Sequence, residues 1–168
     1  MISKRLVDAF NEQINKELYS EYYYLTMAAW LDSENLPGCA NFFKVQVEEE
    51  RFHAMKMYDF VNERGGKIIM GAIKCPPVEF DSVLDVFEKA YEHEQLVTKL
   101  IYGLMDVAIE EKDHAAKSFL NWFIDEQVEE EASMDTIVGK LRMIGGNGHG
   151  LLMIDNDLST RVFIPPVK

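Results

Sequence analysis

Basic residues and cysteines are both scarce in this chain, and each scarcity removes a class of function. Lys and Arg together number 17 against 29 Asp and Glu, leaving a formal net charge of −12. A surface of that sign repels nucleic acid and anionic lipid and attracts cations. Cys39 and Cys75 are the whole cysteine complement. Two are too few for a disulfide framework and match no zinc spacing, so they read as reduced thiols of a cytoplasmic protein. No apolar run approaches the length of a membrane span. The first residues, Met1-Ile2-Ser3-Lys4-Arg5-Leu6-Val7-Asp8, lack the long apolar core of a secretory leader. The remainder is an ordinary soluble composition, 48% hydrophobic and 27% charged. Its 168 residues suit a single domain, 1–168, with a sizeable core.

Proline is sparse as well, and Pro37 and the Pro76-Pro77 pair fall where helical periodicity breaks. Four long helical patterns result. The first runs from an N-cap at Ser3 to about Asn35, with Leu6, Phe10, Ile14, Leu18, Leu25, Ala28 and Leu31 on its apolar stripe. The second runs from about Cys39 to Arg64 and stops at Gly65-Gly66. The third spans about Ser82 to Lys112, and the fourth about Asp113 to Ile144, where Gly145-Gly146 ends it. Leu151 to Leu158 reads as a short fifth helix. Helices of about thirty residues are roughly 45 Å long. Short turns make two antiparallel hairpins of them. Residues Lys67 to Asp81, without helical period, are long for a loop but suit a crossover along a bundle. The expected fold is all-α: a four-helix bundle with one long crossover and a C-terminal fifth helix.

Each stripe is interrupted near its middle by groups that packing alone does not explain. Glu17 lies between Ile14 and Leu18. Glu50 and His53 stand three residues apart, nearly one turn, and so point from one face at one centre. Glu94 interrupts the third stripe, and Gln127 and Glu130 the fourth. The hairpins bring these positions to roughly one level. Carboxylates cannot all be buried there without a compensating cation. A carboxylate beside an imidazole suits a first-row metal such as iron, manganese or zinc. Di-metal bundles take single Glu ligands from two helices and a Glu-x-x-His pair from each of the others. Glu17 and Glu94 fill the single positions and Glu50 with His53 one pair, while the fourth helix offers Gln127-Val128-Glu129-Glu130 in place of the second. One metal would take Glu17, Glu50 and His53. The other would take Glu50 as a bridge, Glu94, and Gln127 or Glu130. Glu49, with Glu126, Glu129 and Glu130 at i, i+3 and i+4 spacing, makes an acidic cluster alongside. Alone, such a run is more often a solvated helix face.

The ordered set of Asn11-Glu12-Gln13-Ile14-Asn15-Lys16-Glu17-Leu18-Tyr19-Ser20, Glu48-Glu49-Glu50-Arg51-Phe52-His53-Ala54, Tyr91-Glu92-His93-Glu94 and the segment from Phe119 to Glu131 resembles the non-haem ferritins of bacteria and archaea. The resemblance runs from Ser3 to about Ser159. It implies a ferroxidase that oxidises ferrous iron with dioxygen and stores hydrated ferric oxide in a 24-subunit homo-oligomeric shell. By that match Glu17, Glu50, His53, Glu94 and Gln127 form the ferroxidase centre, with Glu130 near the second iron. Glu49, Glu126, Glu129 and Glu130 correspond to an additional iron site. Tyr24, two turns after Glu17, matches a tyrosine near the centre that is a candidate electron donor, and Trp122 is a second candidate for which packing is the simpler reading.

Departures from related families narrow the reading. Haem-bearing bacterioferritins place Met after the second-helix Glu, where this chain has Arg51, and their fourth helix has a second Glu-x-x-His that is missing here. Haem is therefore not expected, and Met27, Met55, Met57 and Met70 read as gap-filling residues. Animal-type ferritins line threefold pores with acids where this chain has Lys117 and Leu120. Rubrerythrins, ribonucleotide reductase small subunits and DNA-protecting miniferritins share the bundle. The first two use more symmetric ligand pairs, and miniferritins draw ligands from two subunits. His93, His114 and His149 are expected at the surface.

Overall fold

A computed structural model describes residues 1–166. Among the described residues five helices follow one another: α1, Lys4–Ser33; α2, Pro37–Glu63; α3, Val83–Glu110; α4, His114–Ile144; and α5, Gly148–Leu158. Their ends follow from local chemistry. The Ser3, Ser82, Asp113 and Asn147 side chains accept from the backbone N–H groups of Leu6, Asp85, Ala116 and Gly150, satisfying donors that the first turns of α1, α3, α4 and α5 leave free. Gly145, at φ 55°, ends α4 in the left-handed region that L side chains avoid.

Four boundaries differ from expectation by two or three residues: α1 ends at Ser33 rather than Asn35 and α3 at Glu110 rather than Lys112, because the backbone turns to positive φ at Asn35 and Lys112, and the starts of α2 and α5 differ as well. α2 begins at Pro37 rather than Cys39, because proline suits the first helical position, where no N–H is needed. α5 begins at Gly148 rather than Leu151, since Asn147 rather than a later residue supplies its cap. Leu25, placed on the α1 stripe by spacing, is 47% exposed, because the buried face runs through Tyr24 and Ala28, out of phase with it.

α1 packs on α2 and α3, α3 on α4, and α5 on α2 and α4. Residues 64–82 connect α2 to α3 without helix or strand. Two asparagines of α1 hold this crossover: Asn11 bonds the Lys67 carbonyl and the Ile69 N–H, and Asn15 bonds the Ala72 carbonyl.

The apolar core is divided in two. One half holds Tyr24, Met27, Leu31, Phe43, Phe87, Met134 and Val138. The other holds Leu6, Phe10, Ile14, Met57, Val61, Ile101, Leu104 and Leu120. Along α1 and α4 the second half comes first, and along α2 and α3 it comes last. That alternation is what two antiparallel hairpins joined by a crossover produce. Where each helix passes from one half to the other it carries its buried polar groups: Glu17 and Ser20, then Gln46, Glu50 and His53, then Glu94, then Gln127 and Glu130.

Candidate metal centre

Each polar side chain reaches this layer from a helix whose flanking turns are anchored in apolar core, so the helix cannot rotate to release it without exposing Phe or Leu. Glu17, Glu50, His53, Glu94, Gln127 and Glu130 are all at most 4% exposed. Donor atoms of Glu17, Glu50 and His53 lie within 4.8 Å of one another, and so do those of His53, Glu126 and Glu130. His53 is common to both groups, and its Nδ1 stands 3.6 Å from Glu50 Oε2, too far for a hydrogen bond.

Around these groups a set of neutral donors fixes the carboxylates. Gln13 Nε2 donates to Glu17 Oε1 at 2.7 Å, and Gln46 Nε2 to Glu130 Oε2 at 2.9 Å. Tyr24 Oη donates to Glu94 Oε1, and Gln127 Nε2 to Glu94 Oε2 at 3.1 Å. Thr98 Oγ1 lies 3.2 Å from Gln127 Nε2 and donates to Glu131 at 2.5 Å. One carboxylate oxygen has no such partner: Glu50 Oε2 is buried and accepts nothing. An unpaired buried acceptor is costly in a folded protein, and a cation set against it removes the cost.

The electrostatics agree. Burial, then the charges of Glu94 and Glu17, push the Glu50 carboxyl well above the usual carboxylate range. Burial and the charge of Glu130 push Glu94 up to about 8, although the Tyr24 and Gln127 hydrogen bonds oppose the rise. Burial and Glu130 raise Glu49 to about 7, with Arg161 opposing, and burial also raises Glu126. The donor set of oxygens and one imidazole nitrogen suits a ferrous or similar first-row dication.

The match with known proteins accords with this chemistry. The ferritin-like domain family matches residues 7–144. The bacterial non-heme ferritin of Staphylococcus aureus strain MRSA252 is 43% identical over 163 residues, 97% of this chain and 98% of the relative. That of Staphylococcus saprophyticus is 45% identical over the same shares. The open-pore ferritin of Archaeoglobus fulgidus has 52% sequence identity and a TM-score of 0.96, with 96% of this chain and 100% of that one covered. The chain belongs to the ferritin family. Its function is that of a ferritin, iron storage, and its carboxylate and imidazole cluster is consistent with a di-iron site.

Within that ferritin bundle the candidate ligands separate into layers. Glu17, Glu50 and His53 meet. Glu94 and Gln127 lie in the same buried layer and bond each other, and Glu94 joins neither close group. Glu126 and Glu130 meet through His53. Glu129 is exposed on the outer face of α4, and Glu49 pairs with Arg161 at 2.8 Å. Tyr24 is fully buried, and burial and the charge of Glu94 hold its phenol well above the usual tyrosine value. Trp122 packs on His53, 5.6 Å between ring centres, and on Phe123.

His93 is not the surface residue expected. It is lodged against Tyr19, Tyr23 and Tyr24 with its Nε2 2.8 Å from Ser20 Oγ, because α3 turns it toward α1. Burial lowers its pKa to about 4. His114 and His149 are exposed. Gln13, Gln46 and Thr98 support the centre without having been read as site residues. The first two had a visible signal, each four residues before a buried Glu on one face. Arg161 had none, since it meets Glu49 from 112 positions away.

Proposed function

We propose that the centre is a ferroxidase site within one subunit, at which two ferrous ions give one electron each to dioxygen before the ferric product passes on to be stored as hydrated oxide. The observation that carries this reading is the Glu50 oxygen without a partner, buried beside Glu17 and His53 in a layer of carboxylates. Glu17, Glu50 and His53 hold the first iron. The other would share Glu50 and take Glu94, Gln127 and Glu130 as its remaining donors. Tyr24, bonded to Glu94, stands where it can give a further electron. Glu49, Glu126, Glu129 and Glu130 form an outer site through which iron leaves or waits.

Subunits assemble as a homo-oligomer of 24 copies in the cytoplasm, without haem, nucleic acid or membrane as partner. An exposed apolar face of Tyr22, Leu25, Met55, Met70 and Ile73 supports assembly, and among the described residues no helix is long and apolar enough to cross a membrane. The deciding experiment is ferrous oxidation in air followed by absorbance. Glu17→Ala, Glu50→Ala and Glu94→Ala are each expected to lose most of the initial rate. Native rates in all three would refute a ferroxidase centre at this position.

A further inference from the structure

The segment after α5 returns along α2 in a fixed path. The Asn41 side-chain amide lies 3.1 Å from the Leu158 carbonyl and 2.9 Å from that of Arg161, and donates to both. Phe163 lies against Phe52, 6.1 Å between ring centres. Between these anchors the Arg161 guanidinium stacks on Phe42, 4.4 Å from the ring centre, and donates through Nη1 to the Phe42 carbonyl at 3.4 Å. Its Nη2 donates to Glu49 Oε2 at 2.8 Å. Both partners of this ion pair are mostly buried, with side chains 27% and 19% exposed. Among the described residues, no other Lys or Arg ion pair involves a candidate ligand. Lys56, the other cation that acts on the cluster, stands over the Trp122 ring at 4.6 Å and affects Glu126 from a distance.

A planar guanidinium held by stacking and by two chain contacts is poorly placed to be a mobile surface charge. It supplies a positive charge at the place where the outer acidic group needs one and where an iron ion would also bind. We propose that Arg161 is a tethered counter-cation of the outer site: it holds Glu49 while no metal is bound there, and a dication takes Glu49 only by displacing it. The proposal rests on the reading of Glu49 as an outer-site ligand. Two consequences follow. The outer site is weaker than its carboxylates alone would make it, which suits a place of passage rather than of retention. Metal bound there also loosens the tail, because competition for one carboxylate works equally in both directions.

Zinc, a redox-inert dication, tests this by titration calorimetry on the assembled protein, alongside deuterium exchange of the peptide covering 156–166. Glu49→Gln is expected to weaken or abolish the weakest zinc event. Arg161→Gln should tighten that same event by about three- to ten-fold, from the net worth of an ordinary protein hydrogen bond. Arg161→Lys, which keeps the charge, should stay nearer the parent, and Glu49→Gln combined with Arg161→Gln should match Glu49→Gln alone. Zinc should raise deuterium uptake of the tail in the parent protein but not in Glu49→Gln. An Arg161→Gln variant in which the Glu49-dependent event is unchanged or weaker would overturn the proposal while leaving the outer site standing. If Glu49→Gln alters no zinc event, the outer-site reading falls and the proposal with it. Should Arg161→Gln fail to assemble, the response of the parent tail to zinc decides, and an indifferent tail overturns the idea.

Discussion

At the scale of single residues, the centre is a place where the fold tolerates an unfavourable arrangement that a metal would relieve. Glu50 Oε2 accepts no hydrogen bond although it is buried, and burial and neighbouring acids push its carboxyl well above the usual carboxylate range. Glu50→Gln removes the ionisable group at nearly constant shape. In metal-free protein it is expected to raise stability by about 1–3 kcal/mol, while abolishing the added stability that a dication confers. Thermal melts with and without zinc read both effects, and a variant less stable without metal would contradict the argument. The pH dependence has a definite sign. Glu94 has a folded pKa of about 8 against an unfolded value of about 4.3. Its contribution to stability is complete below about 4.3 and is lost as pH rises toward about 8. Metal-free protein should therefore melt at lower temperature as pH climbs through that window. Metal binding near pH 6 must expel the protons, and calorimetry in buffers of different ionisation enthalpy should count more protons released there than above about pH 9. Gln127 is neutral and binds metal more weakly than an imidazole, so Gln127→His should raise iron retention and slow turnover; an unchanged rate would remove Gln127 from the mechanism. Much at this scale was legible from sequence, because Glu50 and His53 declare themselves by an i, i+3 spacing inside an apolar stripe. Arg161 and the burial of His93 were not legible, since each depends on a neighbour brought in by tertiary packing.

Among the elements, the helices whose signals are local were legible and the start of α2 was not. Ser3, Ser82 and Asp113 announce α1, α3 and α4 because each caps its own first turn. α2 has no such side chain; Asp155 of α5 accepts from the Cys39 N–H at 2.8 Å instead, a cap lent from 116 residues away. The loan requires close approach, and a Cβ on Gly38 would sit 1.7 Å from the Asp155 carbonyl oxygen. Backbone cannot yield by that amount. Gly38→Ala is expected to undock α5, and hydrogen exchange should find the α5 amides unprotected while α1 to α4 retain protection. Asp155→Ala leaves room but removes the cap, at a cost of about 1–2 kcal/mol by thermal unfolding. If both variants melt and exchange like the parent, α5 is held by its apolar contacts alone.

For the molecule as a whole, the two halves of the core explain the placement of the centre better than any one helix does. Apolar contact on either side of the polar layer clamps four helices in register, so carboxylates from distant parts of the chain converge without a local motif joining them. The same clamping uses up the inward faces and leaves Tyr22, Leu25, Met55, Met70 and Ile73 on an outer face of α1, α2 and the crossover, each 43–59% exposed. Spacing alone assigned Leu25 to the core, and its exposure makes sense once the face is read as a contact with another subunit. Exposed apolar residues gathered on one face suit a contact with another subunit, and Arg51 paired with Glu21 within it supplies a polar contact of fixed geometry. Leu25→Arg and Met55→Glu each place a charge there without touching the centre. They are expected to shift the protein from its homo-oligomer, roughly half a megadalton for the proposed 24 copies of 19.4 kDa, to smaller species of unchanged helix content. Size-exclusion chromatography with light scattering checks the mass, and circular dichroism the fold. Ferrous oxidation by the dissociated variants should persist, since the candidate ligands come from one chain, whereas the ferric product should precipitate instead of staying in solution. An assembly of undiminished size in both variants would assign this face another role.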